Sequence, residues 1–159
     1  MRDSGFYLVN IRDKDSRFLT YVNKRISIDS WSEVSYLPDA QLITLCLGAT
    51  QINIHNIYSP PPASHTDNSK ISALTVLLHA LRMPGEHVVV GDFNLYHPLW
   101  GGPVYPHQHT MADLLTNTMR TIGVELTLPQ GIITREVIRG NIMERTIINL
   151  VWLLATLVP

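Results

Sequence analysis

Asp92 and Asn94 stand two residues apart, directly after the run Val88-Val89-Val90-Gly91. The three valines form a β-branched apolar segment with no helical stripe, so the pattern predicts a buried strand that Gly91 ends. In open α/β sheets, ligands collect at the carboxyl ends of strands. An acid and an amide at such an end can face the same way and hold a water, a metal or a phosphate. The same Gly-Asp-Phe-Asn sequence also suits an Asx turn closing a strand, a purely structural use of the aspartate. Just downstream, Tyr96-His97-Pro98-Leu99-Trp100-Gly101-Gly102 adds an imidazole and an indole to the neighbourhood.

The elements that would position these residues follow from periodicity. Phe6 to Ile11 and Arg17 to Val22 read as strands around the polar turn Asp13-Lys14-Asp15-Ser16, and residues 26–36 alternate weakly. Gln41 to Leu47 and Gln51 to Tyr58 read as a strand pair around Gly48-Ala49-Thr50, with Ile52, Ile54 and Ile57 as core candidates. Pro60, Pro61 and Pro62 stop the second strand because proline cannot donate to a ladder. Lys70 to Met83 has the spacing of a helix, with Ile71, Leu74, Leu78 and Leu81 on its inner face, Ser69 as cap and Pro84-Gly85 as stop. That helix feeds the Val88–Val90 strand, and strand, helix, strand favours an α/β layered fold. A second amphipathic helix is expected over Met111 to Ile122, with Met111, Leu115, Met119 and Ile122 inward and Gly123 ending it. Val124 to Leu128 reads as a short strand, and Ile132 to Ile138 and Thr146 to Leu154 as two strands around Arg139-Gly140-Asn141. No repeat or linker breaks the chain, so residues 1–159 read as one domain.

Composition narrows the function classes. A chain of 159 residues that is 45% hydrophobic and 16% charged can bury a core and is not a disordered chain. Its formal charge of -1 gives no electrostatic footprint for coating nucleic acid, although a nuclease needs only a local phosphate site. The single Cys46 excludes a disulfide framework and suits a reducing compartment. The longest apolar stretch, Thr146 to Val158, is shorter than the roughly 20 residues of a membrane-spanning helix, so no membrane association is expected. His97, His107 and His109 with Asp92 match no standard structural zinc spacing, and no resident metal ligand is assigned.

The sequence Val-Val-Val-Gly-Asp-Phe-Asn followed by Leu-Tyr-His-Pro-Leu-Trp-Gly-Gly resembles the endonuclease/exonuclease/phosphatase superfamily. It is most similar to the apurinic-type endonuclease domains of non-LTR (LINE-like) retrotransposons. The resemblance runs from about Arg17 to the end and includes Asn56-Ile57-Tyr58-Ser59-Pro60-Pro61, the Thr134-Arg135 pair and the final strand Thr146-Ile147-Ile148-Asn149-Leu150-Val151. It implies a layered α/β sandwich of the deoxyribonuclease I-like type, present as a fragment. It implies a Mg2+-dependent DNA endonuclease that hydrolyses phosphodiesters, in an intracellular setting that includes the nucleus, with DNA as partner and no protein partner expected. By resemblance, Asp92 orients or activates the attacking water, Asn94 holds Asp92 and phosphate oxygens, and Tyr58 sits beside the scissile phosphate. His97, Thr134 and Arg135 are candidates for substrate contact. Each has a plainer alternative: His97 as a loop cap, Trp100 as a packing anchor, Tyr58 as a strand-end aromatic, Arg135 as a solvated charge.

Two departures favour a different reading. Where the family carries an Asp in its last core strand, paired with a catalytic histidine, this chain has Asn149. In a serine-protease triad the same Asp-to-Asn change lowers turnover about ten-thousandfold. The family's opening Asn and metal-binding Glu and its closing Ser-Asp-His have no counterpart here, and Glu33, Glu86 and Glu125 lie in no matching context. The alternative to an active enzyme is therefore a catalytically inactive remnant with at most a weak binding role. A phosphoinositide, sphingolipid or small-phosphate-ester substrate is disfavoured by His97-Pro98-Leu99-Trp100-Gly101-Gly102.

Overall fold

The computed structural model describes residues 5–9, 17, 19–60, 72–101, 110–140, 142–146 and 149–154. The expected turn at 13–16, Pro61, Pro62, the Ser69 cap, Ile71, His107 and His109 lie outside the described residues.

Six strands make the main sheet. In chain order they are β3 (Trp31–Leu37), β4 (Ala40–Leu47), β5 (Thr50–Tyr58), β6 (Glu86–Asp92), β7 (Val124–Leu126) and β10 (Asn149–Leu154), arranged β3-β4-β5-β6-β10-β7. The first three form an antiparallel meander through short turns. β6 lies parallel to β5, and a parallel pair requires a crossover rather than a hairpin. Helix α1 (Ala73–Ala80) is in that crossover. β10 then runs antiparallel to both β6 and β7, so β6 sits in mid-sheet, between a parallel and an antiparallel neighbour.

One face of this sheet lies under α1 and α3 (Thr110–Thr121). Ala73, Leu74 and Leu77 of α1 and Ala112, Leu115 and Met119 of α3 close over Ile57, Val89, Leu150 and Trp152. Leu77 rather than the expected Leu78 is the most buried residue of α1, and the helix is capped by Ser72, whose Oγ accepts from the Thr75 N–H at 3.1 Å. The short helix α2 (Pro98–Gly101) delivers Trp100 into the same core, edge-on to Trp152 at 6.1 Å. The opposite face meets β1 (Phe6–Val9) and β2 (Thr20–Asn23), an antiparallel pair whose Val9 and Val22 pack with Ile43. Helices, sheet and a second small sheet form the layered α/β sandwich that the resemblance implies.

The C-terminal strands correct the sequence reading. β8 (Arg135–Arg139) pairs with β9 (Ile142–Thr146) around Gly140 in a separate two-stranded sheet. Of the expected strand Thr146–Leu154, Thr146 belongs to β9 and Asn149 to Leu154 form β10. In β5, Asn53 and His55 are as buried as Ile57, whereas Ile52 and Ile54 face the other layer and are half-buried. Cys46, expected inside an apolar strand, is exposed near the end of β4.

Candidate active site

Register alone brings three of the sequence candidates together. Tyr58 on β5 is paired with Asp92 on β6, and Asp92 is paired with Asn149 on β10. Directly paired residues of adjacent strands point to the same face. Alternation puts Ile57, Val89 and Leu150 under the helices, so Tyr58, Asp92 and Asn149 form a row on the opposite face.

The close approach of β5 and β6 at this point depends on Gly91. Its φ is +152°, and a Cβ built there would lie 1.9 Å from the Ile57 carbonyl oxygen. Beyond it the chain turns sharply. Asn94 adopts φ +46°, a left-handed conformation that asparagine tolerates better than most residues. Its backbone N–H donates to Asp92 Oδ1 at 3.2 Å, which is the Asx turn. Its side-chain Nδ2 donates to the Ser59 carbonyl at 2.8 Å, while the Ser59 N–H donates to the Asp92 carbonyl at 2.7 Å. Asn94 therefore holds Asp92 through the main chain, and its amide fastens the end of β6 to the end of β5.

Asp92 is half-buried, and burial pushes its carboxyl above the ordinary carboxylate range. The Asn94 N–H and the positive charge of Arg135 pull in the other direction. Arg135 is exposed at the start of β8, and its neighbour Thr134 is tied to the row: Thr134 Oγ1 accepts from the Asn149 N–H at 3.1 Å, and Asn149 Nδ2 reaches the Thr134 carbonyl at 3.4 Å. Thr134 thus anchors Asn149, and Arg135 supplies charge beside the Asp92 end.

His97 is placed differently. Its Nδ1 accepts from the Leu99 N–H at 3.0 Å, its Nε2 lies 3.2 Å from Asp113 Oδ1 on α3, and its ring lies 5.0 Å from that of Trp100. Both ring nitrogens are engaged within the protein, by the Leu99 N–H and by Asp113. Trp100 is 1% exposed and donates its indole N–H to the Leu95 carbonyl at 3.1 Å, which makes it a packing anchor.

In the sequence Arg17 marks only the start of a strand and of the family resemblance. Its guanidinium lies 5.2 Å from the centre of the Tyr58 ring, and its Nε lies 3.5 Å from Asp39 Oδ1. No local pattern links a residue before β2 to one at the end of β5.

The divalent metal that the resemblance implies would need oxygen ligands. Among the described residues no three His, Cys, Asp or Glu side chains cluster as a metal site. The row offers one carboxylate, one of whose oxygens accepts from Asn94, beside the neutral amide of Asn149. Mg2+ is ordinarily held through one or two carboxylates together with substrate phosphates and waters. The described residues do not by themselves build a resident Mg2+ site.

The comparisons with known proteins agree with the fold. None of the curated proteins matches the chain. Among solved structures, the endonuclease domain of TRAS1, a telomere-specific non-LTR retrotransposon, superposes with a TM-score of 0.60 at 16% identity. The match covers 79% of this chain and 57% of that domain, so the chain spans little more than half of its structural relative. A family model described as endonuclease-reverse transcriptase matches residues 52–157, which include the whole Tyr58–Asp92–Asn149 row. With well over half of its length matched, the chain belongs to the endonuclease-reverse transcriptase family.

Proposed function

We propose that this domain is a phosphodiesterase of the endonuclease kind that acts on DNA with Mg2+ as its metal. The observation that carries the reading is the Tyr58–Asp92–Asn149 row across three adjacent strands. Asp92 takes a proton from the attacking water, a task suited to a carboxylate pushed above its ordinary range. The water attacks phosphorus in line with the leaving 3′ oxygen, the P–O3′ bond breaks, and the leaving oxygen is protonated from solvent. Arg135 offsets phosphate charge, Tyr58 lines the phosphate, and Asn149 and Asn94 fix the neighbours of Asp92. His97 belongs to the scaffold in this proposal. Mg2+, which the described residues do not hold by themselves, would neutralise charge on the phosphate beside Asp92.

The second reading, an inactive remnant, is favoured by one observation: the residue facing Asp92 is Asn149 rather than an acid. One experiment separates the two. Purified chain is incubated with supercoiled plasmid and Mg2+, alongside Asp92→Ala and Asn149→Asp. An active domain nicks the plasmid and loses at least about 100-fold in rate with Asp92→Ala. Folded wild-type protein that nicks no faster than Asp92→Ala supports the remnant. In that case Asn149→Asp, which sets two carboxylates side by side where Mg2+ could bind, should restore cleavage.

A further inference from the structure

We propose that Arg17 is a phosphate clamp at the Tyr58 end of the row, opposite Arg135, so that a DNA strand crosses β5, β6 and β10 rather than following them. This rests on the nuclease reading and extends it to a residue outside the family-matched segment.

The turn between β3 and β4 organises both partners. Arg17 N–H donates to the Pro38 carbonyl at 3.4 Å, and Tyr58 N–H donates to the Asp39 carbonyl at 2.9 Å. The Asp39 carboxylate holds Arg17 Nε on one side, and the Tyr58 ring lies 5.2 Å from the guanidinium carbon on another. These two contacts hold in place a group that carries five N–H donors. The Arg17 side chain remains 52% exposed, so it can be reached from solvent beside Tyr58. A guanidinium held by a ring and one carboxylate suits bidentate contact with a phosphate. The ion pair itself is too exposed to contribute much to stability.

The spacing supports a shared ligand. Two inter-strand steps separate Tyr58 from Asn149, about 10 Å in all. Arg17 flanks one end, and Arg135 follows Thr134, which is hydrogen-bonded to Asn149 at the other end, with its charge felt at Asp92. One cation at each end of a row of this width suits a polyanion with successive phosphates, not a single phosphate monoester.

The test is binding of a fluorescent DNA duplex to the full chain across a salt series, for wild type, Arg17→Gln and Arg17→Lys, with melting temperatures measured in parallel. The expected result for Arg17→Gln is about tenfold weaker binding, with the log–log salt slope reduced by about one. Arg17→Lys should keep the slope and lose part of the affinity, because an ammonium lacks the fork. A role confined to holding the β3–β4 turn would lower the melting temperature and leave the slope intact, and that result overturns the proposal. Should Arg17→Gln fail to fold, Arg17→Lys binding as tightly as wild type overturns it equally. Wild type that binds no DNA at low salt sinks the nuclease reading and this inference together, so the two failures are distinguishable.

Discussion

Strands β5 and β6 carry polar groups on both faces, and the two sets are finished in different ways. On the helix-covered face, Asn53, His55 and His87 are each at most 4% exposed. Asn53 accepts from Thr44 and Gln51 and donates to the Pro84 carbonyl. His87 Nε2 lies 3.0 Å from the Met83 carbonyl, which can only accept, so that nitrogen carries a proton. In the neutral pair His87 Nδ1 is then the acceptor, and His55 Nε2 donates to it across 3.0 Å. This set is closed: its members satisfy one another within the core. On the other face the row is open. Asp92 is bound on one oxygen by Asn94, Tyr58 and Asn149 remain partly or largely accessible, and two arginines lie at the ends. Buried polar groups with all partners in the protein specify structure. A half-buried acid between accessible neighbours is what chemistry needs.

Gly91 is where both sets can be broken at once, and it carries the largest expected effect. Any side chain there meets the Ile57 carbonyl, so Gly91→Ala must pry β6 from β5 beneath both the Tyr58–Asp92 pair and the Ile57 core. We expect a loss of about 3 kcal/mol or more in urea unfolding, together with loss of any DNA binding. Wild-type-like stability in Gly91→Ala would show that the tight seam between the strands is not needed for either set.

Acid sharpens the contrast, with an effect nearly as large. Burial, helped by the neighbouring His87, holds the His55 pKa down to about 4, against 6.5 in an unfolded chain. A base whose folded pKa is depressed adds its stability above the unfolded pKa and loses it as pH falls through the window between the two. Unfolding free energy should therefore drop by about 3 kcal/mol between pH 6.5 and pH 4. Protonation also sets N–H against N–H between the rings. His55→Leu should remove most of this dependence, as read by denaturant unfolding at several pH values; an unchanged acid profile in that variant would place the sensitivity elsewhere.

The open set was far more legible in the sequence than the closed one. Val88-Val89-Val90-Gly91-Asp92-Phe93-Asn94 announces a buried strand with an acid at its end, and strand, helix, strand announces the layering. The neighbours of Asp92 came from family resemblance, since Tyr58 and Asn149 are far from it in the chain and only strand register places them beside it. The His55–His87 pair was invisible for the same reason in reverse. His55 interleaves with the isoleucines of β5, and its partner is on another strand. Arg17 shows the limit most clearly, because its meaning comes from a turn and a ring that no local pattern connects to it.

The smallest effect tests whether the open set is tunable from solvent, as the closed set should not be. Arg135 is exposed, and its charge favours the ionised form of Asp92 against the cost of burial. Removing that charge with Arg135→Gln leaves burial less opposed, so the Asp92 pKa must rise. Because Arg135 sits in solvent, its pull is screened, and the rise should shrink in high salt. Titration of the Asp92 carboxyl by carbon NMR reads this directly and does not require turnover. If the chain cleaves DNA, the acid limb of its pH–rate profile should move to higher pH by the same amount, since only the ionised carboxylate accepts a proton from water. His55, closed within the core on the other face, should titrate identically in both proteins. A common shift at both sites would mean that Arg135→Gln acts through the fold; a shift at Asp92 alone would mean that the row is adjusted from its rim, which is how a phosphate arriving at Arg135 would also be felt.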